Sequence, residues 1–582
     1  MGDYYNRYLA MLNSDQLNVG SLKSDLKSIQ DLKYYSDLNS KPAYFDQNSI
    51  KLPFSISATP DLQDSRKTNY VFSQSSNNIP ATTNAADFNQ GAAKGFIDSM
   101  VNLFGLLGID KNQSMPIIMN AITFENSLTS GLVDKQRDNG SSPEDLSSFN
   151  PYTTSMYSTM DVNEFYNKQS NLQLKQYVET MFPGLKQIQL TNPQALNTYN
   201  NIFSLGNFES LKDWMMLLQV FNNRELFSQQ GVNATKEFDD NSQTFIISTL
   251  GSVDTTTNVG KSFMATQQYF LDDMSTLYGK IQVGSKVKND VLTMTEKIRD
   301  AYIQRLNNNT WLSPQTKKAA VNKLEKMIIN VGYQEGIPAL TDYTSLNFSP
   351  NESIYDINKA INKYRQDVTL LSLKEKSERA GIQRASFERN AFYDPSSNSI
   401  AVDGAMLTAP FFSESQTVSQ NYGGIGIVIG HEISHAFDPT GAQFDSNGIR
   451  SNWWTEADKE KFNDLSMKMD DEYNGIKMDW GTVNGKNTLS ENVADNGGLS
   501  VALELAKQDP SYNAKEFFEN WARSSRMSVD KFTEEMLMLD SHAPAPVRVN
   551  VAVQNQDDFY STYDVKPGDP MYLAPQDRVS IW

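Results

Sequence analysis

Two of the three histidines in this chain stand four positions apart, in the pentapeptide His431-Glu432-Ile433-Ser434-His435. By composition alone, a His-Glu-x-x-His pentapeptide has a chance of roughly one in a thousand in a chain this poor in histidine. Residues four apart lie on one face of an α-helix, so both imidazoles can bind one zinc ion, and Glu432 can reach a water molecule beside it. The pattern predicts a helix with a metal centre. The alternative is a surface helix with two incidental histidines.

The composition excludes several other classes of site. The chain has no cysteine, so disulfides and thiolate metal sites cannot form. Its net charge of -18 disfavours binding to nucleic acid or anionic membranes. No stretch approaches the ~18 apolar residues that a membrane helix needs, and the N-terminus lacks a leader pattern. We expect a cytoplasmic protein, or alternatively a secreted one whose signal segment lies outside this chain.

The segment before the histidine pair, residues 422–430, contains four glycines. Each glycine costs about 1 kcal/mol in a helix relative to alanine. We therefore expect either a buried helix that other backbone or substrate approaches closely, or a buried strand that leads into a short helix.

A zinc centre needs a third protein ligand. Two common zinc-site patterns would place it as a histidine at position 441 or a glutamate at position 454, but those residues are Gly441 and Trp454. Glu491 is a better candidate. Asp495, one helical turn later, and Asp438, three residues after the second histidine, can each accept a hydrogen bond from a zinc-bound imidazole. Taken alone, residues 491–495 are also typical of a solvated acidic turn, and only the histidine pair favours the metal site.

The third histidine, His542, lies beside prolines and is followed by Arg548. An imidazole N–H at this point could stabilise an oxyanion, and the guanidinium could bind a carbonyl or carboxylate as a fork. The alternatives are a loop histidine and an arginine in a surface ion pair.

The length of 582 residues exceeds what one hydrophobic core supports, so we expect two or more lobes. Apolar residues recur at spacings of three and four between Val287 and Leu306, which predicts a helix. Ser313-Pro314 predicts the start of another, continuing through Ile328 toward Gly332. Alternating apolar residues predict that segment 52–58 forms a strand paired with 69–72.

Several segments resemble the neprilysin family of zinc metallopeptidases, including the bacterial oligopeptidase O group. They span most of the chain from about residue 120 onward. They comprise 431–438 with Gly441, Gly448 and 453–455; 491–498; 390–393 with 410–412; and 548–550 with Met571 and Trp582.

The resemblance implies a role for each matching residue. His431, His435 and Glu491 would hold one zinc ion per chain. Glu432 would be the general base, with Asp495 and His542 also in the catalytic set, and Asp438 and Asp495 would orient the two histidines. The remaining implied contacts are with substrate: Asn390, Ala391 and Arg548 with its backbone, and Met406, Phe411, Ile427 and Val428 with the side chain after the cleaved bond.

The resemblance also implies a mainly α, two-lobed gluzincin metallopeptidase with a small β element in the catalytic lobe and an enclosed central cavity. Residues 1–79 would be the N-terminal part of the catalytic lobe, with the family's opening segment absent, residues 80–356 a helical capping lobe, and residues 357–582 the zinc-binding lobe. The implied activity is that of a bacterial zinc-dependent endopeptidase acting on small peptides.

One departure from the family pattern concerns specificity. Ser524 and Ser525 stand where the family has bulky residues that help to form the pocket for the side chain after the cut. We expect an apolar preference there that is retained but weakened. The alternatives are a catalytically impaired homologue or fragment that still binds zinc or peptides, and a helical scaffold without zinc. The oligomeric state is left open.

Overall fold

The computed structural model describes residues 1–60, 67–75, 78–79, 91–132, 158–242, 254, 257–338, 340–372, 385–529 and 531–582. The chain forms two compact units. The first contains residues 1–61, 67–271 and 338–376, and the second contains residues 272–337 and 377–582. Helices dominate both units and the strands are few and short, as expected for a mainly α protein.

The helices of the described residues fall into two stretches of sequence. Those before residue 280 are α1 (Gly2–Leu12), α2 (Gly20–Gln30), α3 (Tyr35–Ser40), α4 (Pro42–Gln47), α5 (Gly91–Leu106), α6 (Lys111–Leu132), α7 (Val162–Lys168), α8 (Lys175–Met181), α9 (Leu196–Ile202), α10 (Phe208–Asn222), α11 (Ser228–Ser242) and α12 (Asn258–Tyr278). Those after it are α13 (Gly284–Asn308), α14 (Pro314–Glu325), α15 (Ile354–Ser372), α16 (Val418–Asn421), α17 (Ile427–Ser434), α18 (Glu456–Tyr473), α19 (Leu489–Ala506), α20 (Ala514–Ser524), α21 (Lys531–Leu537), α22 (Ala545–Gln554) and α23 (Asp557–Tyr563).

The strands form three small sheets. They are β1 (Phe54–Pro60), β2 (Thr68–Gln74), β3 (Ser158–Asp161), β4 (Gln187–Leu190), β5 (Ile328–Gly332), β6 (Ala391–Asp394), β7 (Ser399–Asp403), β8 (Lys477–Met478) and β9 (Gly481–Thr482). The first unit has a sheet of order β1-β2-β4-β3, and the second has β5-β7-β6 and the β8-β9 pair. Strand β6 is therefore at an edge of its sheet.

The first unit includes the N-terminal helices. Tyr4, Tyr8 and Leu12 recur every four residues along α1, and all three are buried in the same apolar core as Phe96 and Trp214. This packing places residues 1–61 with 67–271, whereas the sequence-based boundaries join residues 1–79 to the zinc-binding segment. The difference arises because the apolar face of α1 indicates that the helix is packed against other elements, but the sequence does not indicate which elements these are.

The predicted strand pair near the N-terminus is confirmed. Strands β1 and β2 are antiparallel, with Phe54 opposite Gln74 and Ile56 opposite Phe72. The alternation of apolar residues in 52–58 is thus the signal of a half-buried strand.

In the second unit, α13 and the start of α14 also agree with the sequence. Ser313 Oγ accepts a hydrogen bond from the Thr316 N–H, and Pro314 is the first helical residue. The predicted continuation of this helix to Gly332 is wrong, because α14 ends at Glu325 and residues Ile328–Gly332 form β5, parallel to β7. Pairing with β7, a strand 71 residues later (Ile328 opposite Ser399), overrides the helical periodicity of this segment.

An aromatic cluster in the second unit holds the C-terminus in place. The ring of Trp582 lies 5.5 Å from those of Phe437 and Phe462, and 5.9 Å from that of Trp311. Because Phe437 follows the second histidine by two residues, this cluster packs against the end of the histidine-bearing segment. None of the helices in the described ranges is long and apolar enough to span a bilayer.

Candidate active site

The glycine-rich segment before the histidines is helical, not a strand. Helix α16 continues through a π-helical turn, Tyr422–Gly426, into α17. A Cβ on Gly423 would lie 2.2 Å from the carbonyl oxygen of Phe517, and one on Gly424 would lie 2.4 Å from that of Phe411. The predicted close approach of other backbone is confirmed and explains why glycine is tolerated in this helix.

Helix α19 crosses α17 at a second close contact. A Cβ on Gly430 would lie 2.8 Å from the Cα of Gly498, and one on Gly498 would lie 2.5 Å from the backbone nitrogen of His431. The helices can approach this closely only because both positions lack a side chain. The sequence analysis included Gly498 only as the end of the resembling segment 491–498 and gave it no role, although two successive glycines inside a helix are a signal of close packing.

This crossing brings the first predicted imidazole–carboxylate pair together. His431 Nδ1 lies 2.8 Å from Asp495 Oδ1, and Asp495 is fully buried. Arg548 binds the same carboxylate through two nitrogens, Nε at 2.7 Å from Oδ2 and Nη2 at 2.6 Å from Oδ1. Burial alone would raise the pKa of Asp495, but the guanidinium outweighs it and holds the pKa well below its usual value.

The second pair forms within one turn of chain. His435 Nδ1 lies 2.7 Å from Asp438 Oδ2. The other oxygen of Asp438 accepts hydrogen bonds from the N–H groups of Thr440 and Gly441 at 2.8 and 2.6 Å. The carboxylate is therefore fixed by the backbone of its own turn while it fixes the imidazole.

The Nε2 atoms of the two imidazoles converge with one carboxylate oxygen of Glu491. His431 Nε2 and His435 Nε2 are 3.0 Å apart, and Glu491 Oε2 lies 3.2 and 3.6 Å from them. Each Nδ1 donates to an aspartate, so each Nε2 presents a lone pair to this point. Two zinc-bound nitrogens at tetrahedral angles would be about 3.3 Å apart. Three converging lone pairs at these spacings fit a zinc ion, and these residues form the one candidate metal cluster in the described part of the chain.

Glu432 lies beside this cluster and is buried. Burial raises the pKa of its carboxyl group, and the neighbouring imidazoles partly offset that rise. A raised carboxyl pKa suits a group that accepts and returns a proton near neutral pH.

His542 faces the same point from another loop. Its Nε2 lies 3.0 Å from Glu491 Oε2, its Nδ1 lies 2.7 Å from Asp540 Oδ1, and 46% of its side chain is exposed. The two carboxylates outweigh the effect of burial and raise the pKa of His542 to about 9. A half-exposed, protonated imidazole beside Glu491 is the kind of hydrogen-bond donor that can stabilise a developing negative charge.

Two of the predicted substrate contacts lie on or next to the edge strand β6, which contacts α17. The Asp403 N–H donates to the Asn390 carbonyl at 3.0 Å, so Asn390 faces β7. The N–H of Ala391, the next residue, points to the open side, where the side-chain oxygen of Asn390 accepts it at 3.0 Å. Arg548 is directed at Asp495 instead.

The four predicted pocket residues differ in exposure. Ile427 has no exposed surface and Met406 is buried, whereas Phe411 and Val428 are half-buried. Ile427 is therefore part of the apolar core beneath the others and has no surface available to a substrate in this conformation.

Comparisons with known proteins agree with this geometry. Two family models, both described as Peptidase family M13, match residues 1–334 and 390–579, so the likeness begins well before residue 120. The chain is 30% identical to a neutral endopeptidase of Lactobacillus helveticus, over 98% of this chain and 85% of the relative. A Lactococcus lactis neutral endopeptidase is also 30% identical, over 100% of this chain and 90% of the relative.

A solved structure shows the same architecture. The crystal structure of PepO from Lactobacillus rhamnosis superposes with a TM-score of 0.78 at 27% identity, covering 100% of this chain and 90% of that one.

Proposed function

Because the chain belongs to peptidase family M13, the neprilysin family of zinc metalloendopeptidases, we propose that it hydrolyses small peptides at the site around residues 431–435. The observation that carries this proposal is the convergence of three lone-pair donors, two imidazoles and the Glu491 carboxylate, with Glu432 buried beside them. A zinc ion held there would polarise the scissile carbonyl and lower the pKa of water in the site.

Glu432 is the general base of the proposed reaction. Its carboxylate takes a proton from the attacking water as the bond to the carbonyl carbon forms. The protonated carboxyl then gives that proton to the nitrogen of the leaving amine as the peptide bond breaks. The raised pKa of Glu432 in its buried position supports both transfers, because the protonated form is then accessible.

His542 and Arg548 have different roles in this proposal. His542 donates a hydrogen bond to the oxyanion, which its half-exposed ring at the site supports. The hydrogen bonds of the Arg548 guanidinium are instead to Asp495, so its main role is to hold the aspartate that orients His431. A contact between the guanidinium and a substrate carbonyl remains part of the proposal, since the side chain is 23% exposed.

Strand β6 is the proposed binding edge for the substrate backbone. The open N–H of Ala391 can bond an extended peptide once the Asn390 side chain turns away from it, and the Asn390 amide can then bond the peptide itself. Pairing with an exposed strand edge binds backbone groups of any sequence, which suits an enzyme that acts on many peptides.

Replacement of the base tests the proposed mechanism. In Glu432→Gln we expect turnover of a quenched peptide to fall by about 10²–10⁴-fold, with zinc still bound, because the ligands are untouched. Glu491→Gln should instead release zinc. The matched control is Glu460→Gln, an exposed glutamate of α18. A Glu432→Gln protein with normal turnover would assign the base elsewhere, and a zinc-loaded but inactive parent protein would indicate an impaired homologue.

For specificity, we propose a weakened preference for a large apolar residue after the cut. Phe411 and Val428 offer apolar surface, and burying a large apolar side chain contributes about 1.5–3 kcal/mol. Ser524 and Ser525 add little such surface, and their hydroxyls donate to the Trp521 carbonyl at 3.0 and 2.9 Å.

Cleavage maps test this proposal. Ser525→Trp should sharpen the preference for Phe or Leu by about tenfold, equivalent to about 1.4 kcal/mol. Parent and variant are compared on one peptide library. Identical maps would mean that residue 525 does not face the pocket.

A further inference from the structure

Lys323 is a charged residue in an unusual place. It lies on α14 and is completely buried, with 0% of its surface exposed. Its ammonium donates to three backbone carbonyls, those of Ala436 at 2.9 Å, Gly441 at 2.7 Å and Phe444 at 2.6 Å. A buried charge is tolerated only where hydrogen bonds replace water, and here three acceptors match the three protons of the ammonium.

The three carbonyls belong to one turn, residues 436–444, which directly follows the second histidine. This turn carries Asp438, the carboxylate that bonds His435 Nδ1. It folds back sharply, because a Cβ on Gly441 would lie 1.8 Å from the His435 carbonyl oxygen. Lys323 thus links Ala436, at the start of this turn, to Gly441 and Phe444 near its end through hydrogen bonds to their carbonyls.

The ammonium also complements the charge distribution at this point. The Ala436 carbonyl lies two residues beyond the last residue of α17, Ser434, next to the negative end of the helix dipole. Burial lowers the pKa of Lys323 to about 7, whereas the nearby carboxylates of Asp438 and Asp445 act to raise it.

Helix α14 is itself a fixed support. Asp458 accepts hydrogen bonds from the hydroxyls of Ser313 and Thr316 at the start of α14, at 2.5 and 2.6 Å. Near its end, the Asn398 amide donates to the Lys323 carbonyl at 2.9 Å. The ammonium is therefore presented from a helix that is anchored at both ends.

We propose that Lys323 is a positioning residue for zinc binding, which holds turn 436–444 so that Asp438 keeps the His435 imidazole aimed at the metal. This inference rests on the proposed zinc site. It adds a residue that touches neither metal nor substrate and acts through the turn.

A double-mutant cycle on the full chain tests the proposal. Zinc affinity is measured by competition with a chelator for the parent, Lys323→Met, Asp438→Asn and the double variant. Lys318→Met, an exposed lysine of the same helix, is the control. We expect Lys323→Met to weaken zinc binding by about tenfold, the lower end of what orienting groups contribute. In the Asp438→Asn background the same change should have little further effect, because the group through which Lys323 acts is already lost.

The outcomes separate this inference from the proposed function. If the parent binds no zinc, the proposed site fails. If the parent binds zinc and Lys323→Met binds it equally well, or loses the same factor in both backgrounds, Lys323 is only a packing residue and the inference is overturned. Lys323→Gln, which keeps amide donors without charge, is measured in parallel. If circular dichroism shows neither variant folded, the residue serves the fold and the inference also fails.

Discussion

At the scale of single residues, the site depends on chains of hydrogen bonds that end in backbone or in a second charge. Asp438 is held by N–H groups of its own turn, whereas Asp495 is held by the guanidinium of Arg548. The carboxylate that orients His435 is therefore fixed by nearby backbone, whereas the carboxylate that orients His431 is fixed by a side chain distant in sequence. This difference makes the His431 side sensitive to one distant side chain.

Removing that side chain should destabilise the protein. Arg548→Met leaves the buried Asp495 charge without its partner, and breaking a buried pair in this way costs about 3–5 kcal/mol. We expect the lower end, since 23% of the Arg548 side chain is exposed. Lys27→Met, which removes an exposed ion pair with Asp31, should change stability by less than about 1 kcal/mol. Urea unfolding of both variants measures this, and equal effects would contradict the assigned role.

A second residue-scale prediction concerns pH. The pKa of Glu472 is raised to about 7, because the effect of burial exceeds the opposing effect of the hydrogen bond from the Asn555 amide. A carboxyl whose folded pKa exceeds its unfolded value of 4.5 stabilises the fold below pH 4.5, and this contribution is lost as pH rises toward 7. Replacing the carboxyl with a neutral amide removes the titration. Glu472→Gln should therefore lose less stability than the parent between pH 4.5 and 8, by up to about 3 kcal/mol.

Chemical unfolding across this pH range is the measurement. Parallel stability curves for parent and variant would show that Glu472 does not titrate in this window. Glu460→Gln again serves as the exposed control.

At the scale of elements, the crossing of α17 and α19 sets the distance between histidines and carboxylates. Gly430 and Gly498 form the contact point, and α19 supplies both Glu491 and Asp495. Because these two residues lie on the same helix, any shift of α19 moves the proposed metal ligand Glu491 and the orienting group Asp495 together.

Gly498→Ala should therefore weaken zinc binding as well as stability. The new methyl would lie 2.5 Å from the His431 nitrogen and 2.7 Å from the Ile427 carbonyl oxygen, and backbone atoms cannot yield as a flexible side chain can. Gly105→Ala in α5 is the control, because no atom lies within 4 Å of its added Cβ, and we expect it to be neutral or stabilising by about 0.4–1 kcal/mol. Chelator competition and thermal unfolding measure both. Unchanged zinc affinity in Gly498→Ala would show that the crossing does not set the site geometry.

At the scale of the whole molecule, two compact units share one chain, and the proposed binding edge for a substrate is strand β6. A substrate that pairs with β6 must offer unpaired backbone in extended form, which a stable folded protein does not. We therefore expect short peptides to be cleaved and folded proteins to resist. The enclosed cavity that the family resemblance implies, and the cytoplasmic location, stay predictions.

Three substrates that share one cleavable segment distinguish strand pairing at β6 from an enclosed cavity. They are a short peptide, a stable folded protein that contains it, and that protein permanently unfolded by chemical modification. Strand pairing alone predicts cleavage of the first and third, whereas an enclosed cavity predicts cleavage of the first only. Cleavage of the folded protein as fast as the peptide would contradict both.

The sequence by itself determined what depends on neighbours along the chain. The spacing of His431 and His435 on one helical face, the Ser313 cap and the alternation in β1 follow from local backbone geometry, and all three were predictable. The residue types of Glu491 and Asp495 also marked them as candidate partners for the histidines.

Only the tertiary structure decided which distant segments meet. The strand at Ile328–Gly332, the packing of residues 1–61 with the first unit, the fit of Gly498 against His431 and the three carbonyls around Lys323 all depend on contacts between segments far apart in sequence. Periodicity shows which face of an element is apolar but not what covers it. A buried lysine looks in sequence like any exposed one, because the carbonyls that make its burial tolerable belong to a turn more than a hundred residues away.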